Sequence, residues 1–110
     1  MAIIDVSVIP LGTGTPSVSK YVAGAIRELK DEKDIKYQLT AMGTTIEGEL
    51  PHLLSLAHKM HNSAFNAGAM RVVTIIKIDE RRDQIATITN KIEAVNRELD
   101  QQASISPDGA

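Results

Sequence analysis

A chain of 110 residues, 43% hydrophobic and 24% charged, is expected to form one soluble globular domain with a modest core. Its net charge of −2 gives no electrostatic basis for binding nucleic acid or an anionic membrane. The absence of cysteine excludes disulfides, thiol catalysis and thiolate metal sites. The start, Met1-Ala2-Ile3-Ile4-Asp5, lacks the basic region of a signal peptide, and no stretch reaches the length of a membrane span, so the expected location is the cytoplasm. Tyr21, Tyr37 and Phe65 are the only aromatics, which leaves the core to aliphatic side chains.

Residues 3–11 read as a strand, with Ile4, Val6 and Val8 on one face and Ile3, Asp5, Ser7 and Ile9 on the other, ended by Pro10. The loop 12–19 holds hydroxyls and glycines. Thr15 is placed to cap a helix with Pro16 at its first position. Val18, Val22, Ala25, Ile26 and Leu29 form one helical stripe reaching about Glu32. Ile35 to Ala41 alternates as a second strand. A turn at Met42-Gly43 leads into a third, Thr44 to Leu50. Here Thr44, Ile46, Gly48 and Leu50 face one way and Thr45, Glu47 and Glu49 the other. A strand built mainly for packing would carry more Val or Ile. Gly48 marks a bulge or a close approach.

Pro51 starts a second helix with Leu53, Leu54, Ala57, Met60, His61 and Ala64 as its buried stripe, closed by Asn66-Ala67-Gly68. Met70 to Ile78 is the fourth and most apolar strand. The order is β-α-β-β-α-β, an α+β ferredoxin-like unit: a four-stranded antiparallel sheet with two helices on one face. The other face, with Asp5, Ser7, Gln38, Thr40, Thr45 and Glu47 beside Ile3, Ile9 and either Val73 and Ile75 or Val72 and Ile76, is expected to meet a partner or ligand. A third helix, Asp83 to about Gln101, carries Ile85, Ile88, Ile92, Val95 and Leu99 in a heptad seam. The unit is complete without it, so the seam is assigned to another subunit. The domain spans 1–102, and 103–110 reads as a disordered tail.

The Gly12–Ser19 loop resembles a phosphate cradle but lacks the Gly-Lys-Ser/Thr of a Walker motif. A better reading is that Ser17 and Ser19 present hydroxyls at a helix start to a neutral or cationic heterocycle. His52, His58 and His61 do not make a metal set, because no nearby carboxylate completes one. Arg71, Arg81 and Arg82 with Asp79, Glu80 and Asp83 read as a salt-bridged helix start. No catalytic residues and no nucleophile–base pair are legible.

Pro10-Leu11-Gly12-Thr13-Gly14 with Ser17 to Val22, then Met42-Gly43-Thr44-Thr45-Ile46-Glu47-Gly48-Glu49, then Gly68 to Val72 and Ile76 to Asp83, resembles the thiamine-binding protein family of small YkoF-like proteins, in the same order over about residues 3–100. The resemblance implies a ferredoxin-like fold, a homo-oligomer (typically a tetramer built as a dimer of dimers), binding of thiamine or its hydroxymethylpyrimidine part, and no known catalysis or cofactor. The site it implies comprises Ser17, Ser19, Gly43, Thr44, Thr45, Glu47 and Gly48. Glu47 can accept from the ring nitrogen and exocyclic amine of an aminopyrimidine, and Ser19, Thr44 and Thr45 can fill its other positions. With so few aromatics, Ile or Met has to pack the ring. The leading expectation is non-enzymatic binding of thiamine or a related pyrimidine. The alternatives are a structural or regulatory oligomer without ligand, and an enzyme of thiamine-precursor metabolism.

Overall fold

The computed structural model describes residues 1–83 and 87–105. Strand β1 (Ala2–Leu11) is followed by helix α1 (Ser19–Arg27), strands β2 (Lys36–Leu39) and β3 (Thr44–Gly48), helix α2 (Leu50–Asn66), strand β4 (Arg71–Glu80) and helix α3 (Ile88–Ile105). The sheet order is β2-β3-β1-β4, antiparallel throughout. This is the ferredoxin-like arrangement, with the third helix added at its end.

The core lies between the sheet and the two helices. Ala2, Ile4 and Val6 of β1 and Ile46 of β3 meet Ala25 and Leu29 of the α1 segment and Leu53, Leu56, Ala57 and Met60 of α2. On α2 it is Leu56 that is buried, while Leu54 stays partly exposed, so the stripe is rotated from the expected one. Gly68 ends this helix in the left-handed region, at φ 105°, where a side chain would be strained.

Several boundaries differ from the sequence reading, and three of the differences have a local reason. Strand β1 does not stop at Pro10 but continues to Leu11, paired with β4. Beyond Val6 it has no strand partner on the β3 side among the described residues, and a strand edge tolerates a residue without an N–H. Helix α1 begins at Ser19, not at Pro16. Thr15 Oγ1 instead accepts from the Ser17 N–H at 3.3 Å, closing a turn of its own. Helix α3 begins at Ile88, where Thr87 Oγ1 accepts from the Asn90 N–H at 3.0 Å. Arg81 is held by Asp83 before that start, through bonds of 2.8 and 2.5 Å, while Arg71, Asp79 and Glu80 lie within β4, so the cluster is not a helix start. Helix α3 runs to Ile105, past the assigned domain limit. Residues 106–110 of the assigned tail, and Ile85 of the seam, lie outside the described residues.

The first turns of α3 lie against the sheet's open face, and the rest projects away. The molecule measures 55 × 32 × 20 Å with a radius of gyration of 17.3 Å, against about 13 Å for a compact domain of this length. Ile92, Val95 and Leu99 of the seam are about half exposed or more.

Candidate functional site

Two clefts flank β3. The first opens where β3 ends and β1 continues. β3 pairs with β1 only from Ala2 to Val6, while β4 accompanies β1 as far as Leu11. Residues 7–11 of β1 therefore offer a free backbone edge, and alternate residues along such an edge direct N–H and C=O groups outward. The loop 40–43 and the start of α1 wall this gap into a cleft of about 450 Å³, bordered by Val18, Val22, Met42, Gly43, Thr44 and Met60, among others.

The loop is fixed in place. The Thr40 N–H donates to the Gly43 carbonyl at 2.8 Å, and Ser7 Oγ donates to the Met42 carbonyl at 2.9 Å. Gly43 is required by the approach: a Cβ there would stand 2.8 Å from Ser7 Oγ and 3.0 Å from the Val6 carbonyl oxygen. The walls are aliphatic, and Ser7, Thr40 and Thr44 bring hydroxyls.

The second cleft, about 480 Å³, lies on the open sheet face beneath α3. Gln38, Thr45, Asp5 and Lys77 form one row across all four strands. Thr45 Oγ1 donates to Asp5 Oδ1 at 3.4 Å. Ile3, Ile88 and Ile92 supply apolar surface, and Lys91 pairs with Asp79 at the rim. Glu47 sits beside this cleft, 4% exposed, and accepts the Ile88 N–H at 2.7 Å. It thereby satisfies a donor that helix geometry leaves open at the first turn, and its charge complements the positive end of α3.

The seven residues singled out by sequence therefore do not line one cavity. Gly43 and Thr44 line the first cleft, with Ser17 and Ser19 on either side of its wall residue Val18, their hydroxyl oxygens 3.5 Å apart. Thr45 lines the second, and Glu47 anchors α3 beside it. Gly48 packs into the core, where a Cβ would stand 3.2 Å from the Asp34 carbonyl oxygen, Ile35 and Leu53. The strand's two-residue period imposes this division. The free edge of β1 was missed, because it depends on where β3 stops. The open-face strip is settled as Ile3, Ile9, Val73 and Ile75.

None of the aromatics lines the first cleft: Tyr21 is buried, and Tyr37 and Phe65 lie elsewhere on the surface. His52 pairs with Glu32 at 3.2 Å, His61 Nδ1 meets Thr74 Oγ1 at 2.6 Å, and His58 Nε2 meets Asn62 at 3.2 Å. Among the described residues no three His, Asp or Glu side chains converge as metal ligands, and no helix is long and apolar enough to cross a membrane.

The family model described as thiamine-binding protein matches residues 4–96. The chain belongs to the thiamine-binding protein family. Within it, the chain is 51% identical over 102 residues to the UPF0045 protein YqgV of Bacillus subtilis, covering 90% of this chain and 98% of that protein. The crystal structure of the hypothetical protein MJ1052 of Methanocaldococcus jannaschii matches with a TM-score of 0.80 at 42% identity, over 86% of this chain and 95% of that one. A Thermotoga maritima protein, provisionally assigned to thiamine biosynthesis or salvage, matches with a TM-score of 0.71 at 22% identity, over 86% of this chain and 97% of that one, and shares the fold.

Proposed function

We propose that the chain binds thiamine, or its hydroxymethylpyrimidine part, in the first cleft without transforming it. The observation that carries this reading is the free edge of β1 beside a cluster of hydroxyls. An aminopyrimidine presents donors and acceptors along one edge and two flat apolar faces. The backbone of residues 7–11 and the hydroxyls of Ser7, Thr40 and Thr44 match the edge. Val18, Val22 and Met60 match the faces, in place of aromatic stacking. The volume falls within the roughly 300–1,000 Å³ of small-molecule sites. Ser17 and Ser19 flank the wall, where they meet the part of the ligand that projects from the cleft. Thr45 and Glu47 serve the ligand indirectly, through the open face and α3.

The reading includes a homo-oligomer, a tetramer built as a dimer of dimers. An exposed seam of Ile92, Val95 and Leu99 on a projecting helix leaves apolar surface to cover, and a second copy of the chain supplies a matching one. A thermal-shift panel tests the ligand. Thiamine and hydroxymethylpyrimidine raise the melting temperature with concentration, because a ligand bound only to the folded state stabilises it. Equal melting with and without them removes the reading.

A further inference from the structure

Two methionines border the first cleft, and their exposures are opposite. Met60 of α2 is 1% exposed, and Met42 of the loop 40–43 is 87% exposed. A single exposed apolar side chain is ordinary on a protein surface. What sets Met42 apart is how firmly its backbone is held. Its N–H donates to Thr40 Oγ1 at 3.4 Å, and its carbonyl accepts from Ser7 Oγ at 2.9 Å. The Gly43 carbonyl beside it accepts from the Thr40 N–H and from Thr40 Oγ1, at 2.8 and 3.0 Å. The loop is thus fixed on both sides of Met42, while the Met42 side chain stands in solvent at the mouth of the cleft. The two methionines also approach from opposite sides of the sheet. Met60 packs in the core with Val6, on the helix side. The Met42 carbonyl is held by Ser7, which points to the open face. The free edge of β1 lies between them.

We infer that Met42 is the cover of this site. With a flat heteroaromatic ring seated on the free edge, the Met42 side chain folds inward onto the ring's outer face, and Met60 supports the inner one. An unbranched thioether has three rotatable bonds with which to follow the ring, and its polarizable sulfur makes favourable contacts with aromatic systems. Two sulfurs thereby take the place of the aromatic residues, none of which lines the cleft. The fixed loop limits the cost of closure to the rotamers of one side chain. The ligand class selected is a single flat ring with an unsaturated face, thin enough to fit between the two side chains.

This cover rests on the pyrimidine reading above, and different measurements separate the failure of each. The chain has four methionines, Met1, Met42, Met60 and Met70. Isotopic labelling of their methyl carbons gives one magnetic-resonance signal for each, assigned by Met→Leu variants. Hydroxymethylpyrimidine is the probe. Its ring current is expected to shift the Met42 and Met60 methyls and to leave Met70, which is 92% exposed and does not line the cleft, in place. Met42→Ala and Met42→Gln are each expected to weaken binding about tenfold, the first by losing the apolar contact and the second by bringing an amide that must shed water. Met42→Leu, which stays apolar, is expected to bind within about threefold of the wild type. Melting curves confirm that each variant is folded. A wild type that does not bind hydroxymethylpyrimidine overturns the pyrimidine reading and the cover together. Binding that leaves the Met42 methyl unmoved, or that Met42→Ala and Met42→Gln retain in full, overturns the cover alone. So does a Met42 signal that moves with protein concentration and not with the probe, the mark of a contact between copies.

Discussion

Thr44 and Thr45 are adjacent, chemically identical side chains with different surroundings. Thr44 is buried on the helix side of the sheet, where it lines the cleft at the end of β1. Thr45 points to the open face and donates to Asp5. Glu47 follows Thr45, and Ile46 and Gly48 follow Thr44. One short motif therefore does two things: one side shapes a cleft and its core support, and the other anchors the projecting helix. A motif on a strand is two half-motifs, and each must be assigned to its own face before a ligand is assigned to either.

Substitutions that act on one face alone sharpen this contrast. The largest effect is expected on the core side, at Gly48. A valine there meets the Asp34 carbonyl oxygen, Ile35 and Leu53. Overpacking of this kind costs up to about 3 kcal/mol, and each kcal/mol lowers the melting temperature of a small domain by roughly 4–8 °C. A Gly48→Val protein that melts like the wild type would show that β3 is not pressed between its neighbours.

Next comes Glu47. Glu47→Ala leaves the partly buried Ile88 N–H without its carboxylate, at a cost of about 1 kcal/mol. The loss is confined to α3: amide exchange over residues 88–91 quickens, while exchange in β1 and α2 stays slow. Glu47→Gln keeps an acceptor but loses the charge, so its effect on α3 is smaller. Thiamine affinity should stay within about twofold in both. A large loss of affinity in a protein with unchanged α3 protection would place the carboxylate on the ligand.

Most of the architecture is legible in the sequence, because it rests on periodicity. The alternation of Ile4, Val6 and Val8, and Leu53, Ala57, Met60 and Ala64 on α2, follow directly from which faces are buried. At the two helix starts that shift, a local hydroxyl outcompetes the expected signal. Thr15 closes a turn instead of capping α1, and Thr87 caps an α3 that was expected to begin at Asp83. The site was legible as residue types but not as a place. Alternation separates Thr44 from Glu47, yet the free edge of β1 exists only because β3 stops at Thr44 while β4 runs on. That difference in strand length is a property of the assembled sheet.

A finer test sets the two threonines against each other. Thr44→Val removes a hydroxyl from the cleft at nearly constant shape and should weaken thiamine binding about fivefold, equivalent to about 1 kcal/mol. Thr45→Val should leave affinity unchanged. If the two lose affinity equally, the division between the faces fails. The smallest expected effect is that of metal removal. A chelator should change neither melting temperature nor ligand affinity, and a clear loss of either would bring His52, His58 and His61 back as ligands.

The central claim is that the cleft at the end of β1 holds the pyrimidine. Calorimetric titration of hydroxymethylpyrimidine and thiamine into wild type and Val22→Trp tests it most directly, since an indole at Val22 fills the cleft from its α1 wall. The expected result is saturable binding to the wild type and none to Val22→Trp, with the variant's melting temperature and assembly preserved. Equal binding by both proteins, or none by the wild type, would contradict it.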